Sequence, residues 1–171
     1  MTEFEVRLAT AADLDVISHH RARMFRDMGE LSDELFDSFR RQSLTVLQEF
    51  FAQNKYVGWV AALHEKPDKI IAGAGISLRQ VAPHPQPNAA GDFEIVSGRQ
   101  AIIQNVYTDP DWRRRGLAAL LIKTIIDWAR EQRIESVVLH ASEQGRALYE
   151  RLGFVATTEM RLMASPARTS R

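Results

Sequence analysis

Hydrophobic and polar positions change period several times along this chain, and each change marks an element. Phe4, Val6 and Leu8 alternate with Glu5 and Arg7, the two-residue period of a strand. Thr10 then offers an N-cap oxygen for a helix over residues 11–26, with Leu14, Ile17, Ala22 and Phe25 as its approximate apolar face and Gly29 as its break. A second helix is predicted over 33–53, carrying Leu35, Phe36, Phe39, Leu44, Val46, Leu47, Phe50 and Phe51. Apolar runs at 56–63 and 70–78, joined by the turn chemistry of 65–69, predict a hairpin. Residues 81–98 hold Pro83, Pro85, Pro87, Gly91 and Gly98 and read as a long loop.

The second half repeats the alternation of periods. Residues 102–108 read as a strand. A helix over 117–130 follows, with Leu117, Leu120, Leu121, Ile125 and Trp128 at helical spacing. Residues 136–140 are almost continuously apolar, as in a strand covered on both faces. Ser142 is a candidate cap for a short helix through Arg151, which Gly153 ends. A last strand is expected from Phe154 to about Met163, and a disordered tail over 165–171. Trp59 and Trp128 sit on apolar patterns and are expected in the core. The middle strands suggest an antiparallel meander, and the strand-helix-strand unit over 102–140 suggests a parallel pair. With no repeat and no linker, a single α+β domain over 1–164 is expected.

Composition narrows the function classes. The chain has 171 residues, enough for one domain with a sizeable core. Lys plus Arg and Asp plus Glu are 22 each, and a zero net charge gives no general pull toward nucleic acid or membrane. The absence of cysteine excludes disulfides, thiolate metal sites and a cysteine nucleophile. The N-terminus lacks a basic region followed by an apolar one, and no apolar run approaches the ~18 residues of a membrane helix. Cytoplasmic location is the default expectation. His19 and His20 are adjacent and His84 stands alone, so no metal is expected.

The candidate chemistry lies between a strand and a helix. After the 102–108 strand come Arg113, Arg114, Arg115 and Gly116, then Leu117, Ala118 and Ala119 at the mouth of the next helix. The first amides of a helix lack intrahelical partners, the dipole adds positive character, and small residues let a phosphate approach. This reads as a pyrophosphate cradle. A solvated basic patch or a nucleic-acid contact is the alternative for the arginines alone. Neither G-x-G-x-x-G nor G-x-x-x-x-G-K-[ST] occurs. The pattern present is [Q/R]-x-x-G-x-[G/A], filled by Arg113, Gly116 and Ala118, with Thr108-Asp109-Pro110-Asp111-Trp112 leading into it. Downstream stands Leu148-Tyr149-Glu150-Arg151-Leu152-Gly153-Phe154. Together, in this order, these segments resemble the two signatures of the GNAT superfamily of N-acetyltransferases. Gly145 departs mildly from the alanine that often stands three residues before the leucine.

The resemblance covers nearly the whole chain and carries specific implications. It implies the GNAT fold, an α+β (mixed α/β) architecture with a central mixed, mostly antiparallel sheet, a splayed parallel strand pair and flanking helices. It implies acetyl-coenzyme A as donor, with coenzyme A as product. Val106, Tyr107 and Thr108 would bond the pantetheine through their backbone. Arg114, Arg115, Gly116, Leu117, Ala118 and Ala119 would wrap the pyrophosphate, with Arg113 adding charge. Tyr149 would protonate the leaving thiolate, since a phenol of pKa about 10 is protonated at neutral pH. The alternative for Tyr149 is simple packing. Val137 and Val138 occupy the strand where some members carry a glutamate base, so a direct carboxylate base is not in place there. His140 is a candidate base or water-orienting residue, or else a structural histidine. Ser142 stands where the family often has an asparagine that contacts pantetheine.

The expected acceptor is a primary amine, on a small molecule or a peptide. Asp27, Glu30, Asp33, Glu34 and Asp37 would suit a cationic one, or would form a solvated helix face. With no cysteine to carry an acyl group, transfer would be direct. Two other classes remain: a non-catalytic acyl-coenzyme A-binding or sensor module, and a nucleic-acid binder whose affinity would fall steeply with salt. The resemblance leaves open the acceptor, the preferred acyl group and the oligomeric state, a homodimer being unsurprising.

Overall fold

Successive residues of the central strands face opposite sides of the sheet, and each side has its own layer of helices. A computed structural model describes residues 3–88 and 90–160. The elements are β1 (Phe4–Leu8), α1 (Leu14–Asp27), α2 (Asp33–Ala52), β2 (Tyr56–Leu63), β3 (Lys66–Pro87), β4 (Phe93–Thr108), α3 (Leu117–Glu131), β5 (Ser136–Leu139) and α4 (Arg146–Arg151). The five strands form one sheet in the order β1-β2-β3-β4-β5. All pairs are antiparallel except β4 and β5, which run parallel. Trp59 and Ala61 of β2 pack with Leu121 and Ile125 of α3, while Val60 and Ala62 pack with Leu14, Ile17 and Leu47 of α1 and α2. Each such Leu or Ile contributes roughly 1.5–3 kcal/mol through burial. Trp128 meets Trp59 edge-on at 5.5 Å, as expected of core residues. Among the described residues no helix is long and apolar enough to cross a membrane.

Local chemistry explains the entry to α1. Thr10 donates its N–H to Asp13 Oδ2 at 2.7 Å, and Arg7 holds both oxygens of that carboxylate at 2.8 and 2.9 Å. The Arg7 hydrogen bonds outweigh burial and hold the Asp13 carboxyl at about 2. A 3-10 turn, Ala11–Asp13, therefore separates Thr10 from the α-helix proper.

Three expectations are corrected. Residues 81–98 are not a loop: β3 and β4 continue as a hairpin, with Pro87 opposite Phe93. Proline cannot donate to a ladder, but Pro83, Pro85 and Pro87 stand at every second position, so the missing donors fall on one side. That side is open, because β2 pairs with β3 only as far as Ser77. Second, residues 154–160 form no strand; Val155 and Met160 are 81% and 96% exposed, so no sheet neighbour offers them burial. The expected end of that strand near Met163, and the 165–171 tail, lie outside the described residues. Third, α4 begins at Arg146, and Ser142 instead caps the preceding turn by accepting the Gly145 N–H at 3.2 Å.

One irregularity positions the site. Gly73 pairs with Tyr107 and Gly75 with Gln104, so two residues of β4, Asn105 and Val106, oppose Ala74 alone. Asn105 takes a left-handed φ of 58°, which asparagine tolerates better than most residues. The bulge reverses the facing of the strand end: Ile103 packs with the α3 layer, whereas Tyr107 lies 4.9 Å from the His20 ring on α1. Asn105 Nδ2 donates to the buried Tyr56 hydroxyl at 3.3 Å. Tyr56 in turn lies across Gly75, where a Cβ would stand 2.2 Å from its hydroxyl oxygen. Gly75→Ala is expected to lower the unfolding free energy by about 3 kcal/mol. Gly73→Ala, whose Cβ would meet the Trp59 carbonyl at 3.4 Å, should cost clearly less. Urea denaturation of both variants checks this; equal losses would refute the packing argument.

Candidate active site

The parallel pair is short, and the cleft opens where it ends. β5 pairs with β4 only over residues 100–103, Ile103 opposite Leu139 being the last rung. The buried Gln100 amide, bonded to Ser136 Oγ at 2.8 Å, ties the closed end. Past Ile103 the β4 edge turned away from β3 has no strand partner among the described residues. A cleft of about 600 Å³ occupies the gap, with Val106, Tyr107 and Thr108 on one side and His140, Ser142 and Tyr149 on the other. An unpaired strand edge in such a cleft offers backbone donors and acceptors to an extended, amide-bearing ligand.

The arginine turn meets the cleft through Arg113, the one residue of 113–119 that lines it. A 3-10 turn at Pro110–Trp112 carries the chain from β4 to α3. Arg114 and Gly116 both have left-handed φ, 61° and 81°. Gly116 is the N-cap of α3 and provides no side-chain cap. Leu120 is the first α3 residue whose N–H finds a carbonyl, that of Gly116 at 3.0 Å. Leu117, Ala118 and Ala119 thus present the free amides that any helix start leaves, and Ala118 and Ala119 carry only a methyl group there. The three arginines divide. Arg113 donates to the Thr108 carbonyl at 3.0 Å and is ion-paired with Asp27 on α1, whose hydrogen bond raises its pKa. Arg115 pairs with Glu3 at 3.2 Å and lies over the Trp112 ring. Arg114 has no ion pair among the described residues.

Tyr149 stands on α4 with its ring over Gly145, where a Cβ would come within 3.0 Å of ring carbon Cε2. The departure noted at Gly145 therefore makes room for this ring. Phe154 packs edge-on against it at 6.0 Å, and burial pushes the phenol pKa up. His140 lies just past β5, exposed, with Nε2 bonded to Glu159. Ser142 lines the cleft through a hydroxyl that already accepts the Gly145 N–H.

The acceptor side holds residues that sequence reasoning missed. Arg21 on α1 and Gln104 and Asn105 on β4 all line the cleft. Arg21 continues the buried stripe of Leu14, Ile17 and Ser18, and a charged residue on such a stripe was the available signal. The polar Gln104-Asn105 step inside an apolar strand signalled the bulge. Of the acidic run, Asp27 and Glu30 reach the cleft. Asp33 pairs with Arg26 at 3.4 Å, and Glu34 and Asp37 are exposed. Behind Tyr107, His20 is buried with Nδ1 unpartnered, and the Tyr107 hydroxyl is likewise buried and unpartnered.

The acetyltransferase (GNAT) family model matches residues 22–154. The structure is similar to a GCN5-related N-acetyltransferase from Ralstonia eutropha JMP134, with a TM-score of 0.80 at 30% identity, over 94% of this chain and 98% of that one. It is also similar to a predicted acetyltransferase from Clostridium acetobutylicum, solved with acetyl-CoA, with a TM-score of 0.72 at 26% identity over 94% and 96% of the two chains. A glucosamine-6-phosphate N-acetyltransferase from Arabidopsis thaliana shares the fold, with a TM-score of 0.64 at 14% identity over 95% and 99%. No curated protein matches the chain.

The burial of His20 makes stability depend on pH. Burial, reinforced by His19 and Arg23, lowers its pKa to about 4. Asp109 Oδ1, 3.8 Å from Nε2, lies beyond hydrogen-bond reach and does not reverse this. Below pH ~6.5 the unfolded chain binds a proton here that the folded chain refuses. Stability is therefore expected to be full above about 6.5 and to fall by roughly 3 kcal/mol as pH drops to about 4. His20→Gln should flatten this window in denaturation curves taken across it. An unchanged slope would show that His20 is not its source.

Proposed function

The chain belongs to the GNAT acetyltransferase family, and we propose that it is an acetyl-coenzyme A-dependent N-acetyltransferase acting directly on a primary amine. The observation that carries the reading is an unpartnered β4 edge along the cleft, followed by a turn whose Arg113 lines the same cleft and which leads into the open N-terminus of α3. The α3 start suits a pyrophosphate, with Gly116, Leu117, Ala118 and Ala119 supplying backbone and Arg113, Arg114 and Arg115 the surrounding field. The backbone of Val106, Tyr107 and Thr108 suits the pantetheine amides.

Acetyl-coenzyme A brings an activated thioester. The amine nitrogen attacks its carbonyl carbon, the N–C bond forms and the C–S bond breaks. A backbone donor near Val106 polarises the carbonyl oxygen. Tyr149 gives its phenolic proton to the leaving thiolate and is restored by the proton that the nitrogen releases as the amide forms. Its raised pKa keeps that proton in place at neutral pH. The amine must shed a proton before it attacks. His140, polarised by Glu159, accepts it directly or through water. No covalent acyl-enzyme forms, and positioning two reactants in one cleft supplies much of the acceleration.

Two experiments test this. Calorimetric titration with acetyl-coenzyme A should show binding by the wild type and its loss in Gly116→Glu, which sets a negative charge at the pyrophosphate position. Absence of wild-type binding would overturn the reading. In a thiol-release assay with an amine panel, Tyr149→Phe should lower kcat by about 100-fold or more while acetyl-coenzyme A affinity stays within a few-fold. Unchanged kcat at every pH would remove Tyr149 from the chemistry. Binding without turnover of any amine would favour a non-catalytic acyl-coenzyme A sensor.

A further inference from the structure

We propose that Arg21 reads the carboxylate of the acceptor, so that the acceptors of this enzyme are α-amino acids with apolar side chains. The proposal rests on the N-acetyltransferase reading above and extends it to the substrate class.

Arg21 is a half-buried cation in the cleft wall. Among the described residues it forms no ion pair. One hydrogen bond anchors it, from an Nη to Asn105 Oδ1 at 2.6 Å. A guanidinium has five N–H donors, so most remain available. Burial pulls its pKa down, the sign of a charge held without compensation. The Phe25 and Phe39 rings, 5.0 and 5.8 Å from its Cζ, fix the guanidinium plane. Such a preset fork fits a carboxylate.

Its place decides which carboxylate. Arg21 and Gln104 are shared by two cavities. One is the cleft that holds Tyr149. The other, of about 230 Å³, is lined by Phe39, Val46, Leu47 and Phe50. From this wall three environments diverge: the acetyl-transfer cleft, the guanidinium and an apolar lobe. An α-amino acid sends an amine, a carboxylate and a side chain from one carbon, which matches that arrangement. A polyamine would meet the Arg21 charge with its own. The acidic run that suited such a cation is partly spent, since Asp27 is paired with Arg113 and Asp33 with Arg26.

The test compares L-phenylalanine, L-leucine and L-methionine with the amines that lack only the carboxylate, using the full chain and acetyl-coenzyme A. Wild-type kcat/KM should favour the amino acids at least tenfold. Arg21→Gln should abolish that preference, mainly through KM. Val46→Trp, which fills the lobe from a partly exposed position, should lower activity on L-phenylalanine while sparing L-alanine. Equal wild-type kcat/KM for acids and amines would overturn the proposal. So would an equal loss on both in Arg21→Gln, which would mark the arginine as a support for Asn105. Should Arg21→Gln fail to fold, the wild-type comparison and Val46→Trp decide. Failure to bind acetyl-coenzyme A in calorimetry would sink the N-acetyltransferase reading itself. Binding with turnover of other amines in the panel but of neither class here would sink the substrate assignment alone.

Discussion

A left-handed residue in the middle of a strand, Asn105, determines where the rest of the cleft stands. The conformation costs roughly 1–2 kcal/mol for a residue with a Cβ, somewhat less for asparagine. Both ends of its side-chain amide are engaged: Oδ1 receives Arg21 and Nδ2 donates to Tyr56. The Tyr56 hydroxyl is buried, its pKa pushed up to about 12, so this network lies where water does not compete well. A bulge bends its strand and sharpens its twist. Here it begins two residues after the last rung shared by β4 and β5. Beyond that bend β5 does not follow, and the β4 edge is released. The same residue also turns Tyr107 toward α1 rather than α3. One backbone dihedral thus links the packing of β2, the opening of the sheet and the setting of Arg21.

The arginine turn illustrates how charge and backbone divide one task. Exposed ion pairs contribute only ~0–1 kcal/mol each, so the Arg113–Asp27 and Arg115–Glu3 contacts add little stability. Their effect is geometric. Arg113 ties the end of β4 to the end of α1, and Arg115 lies over the Trp112 ring. Both therefore hold the loop that delivers Gly116 to the start of α3. The free amides of Leu117, Ala118 and Ala119 and the guanidinium groups around them are the two parts on which the proposed pyrophosphate site would draw. A basic run divided in this way is poorly suited to tracking a nucleic-acid backbone, which needs several free cations along one surface.

How much of this was legible in the sequence follows from sequence distance. The periods of β2, α2 and α3 gave their positions within a few residues, because burial pattern alone sets them. The strand, turn and helix start proposed for the donor were also legible as elements, because they are contiguous and the small residues at 116, 118 and 119 have a local backbone meaning. The acceptor end was not. Arg21 and Asn105 are 84 residues apart, and nothing local announces that they meet. The hairpin over 81–98 was misread for a different reason. Proline content reads as loop composition, yet the alternation of Pro83, Pro85 and Pro87 is also compatible with an edge strand. Phe154 onward was misread because apolar content was weighed without a partner to pair with.

The two halves of the site are consequently built by different means, and this bears on how the proposed chemistry is tuned. Backbone groups on the proposed donor side are indifferent to most side-chain changes, so binding of the donor there would rest on the fold. Tyr149 is more finely balanced. Burial that raises its pKa keeps it protonated but also makes it a weaker acid. That loss is offset only if the thiolate it serves is desolvated in the same cleft, since what matters is the difference between the two pKa values. A cleft that excludes water raises both together. An acceptor that fills the lobe beside Arg21 would serve that end by excluding water, so the bound acceptor would itself be part of what makes the proposed proton transfer favourable.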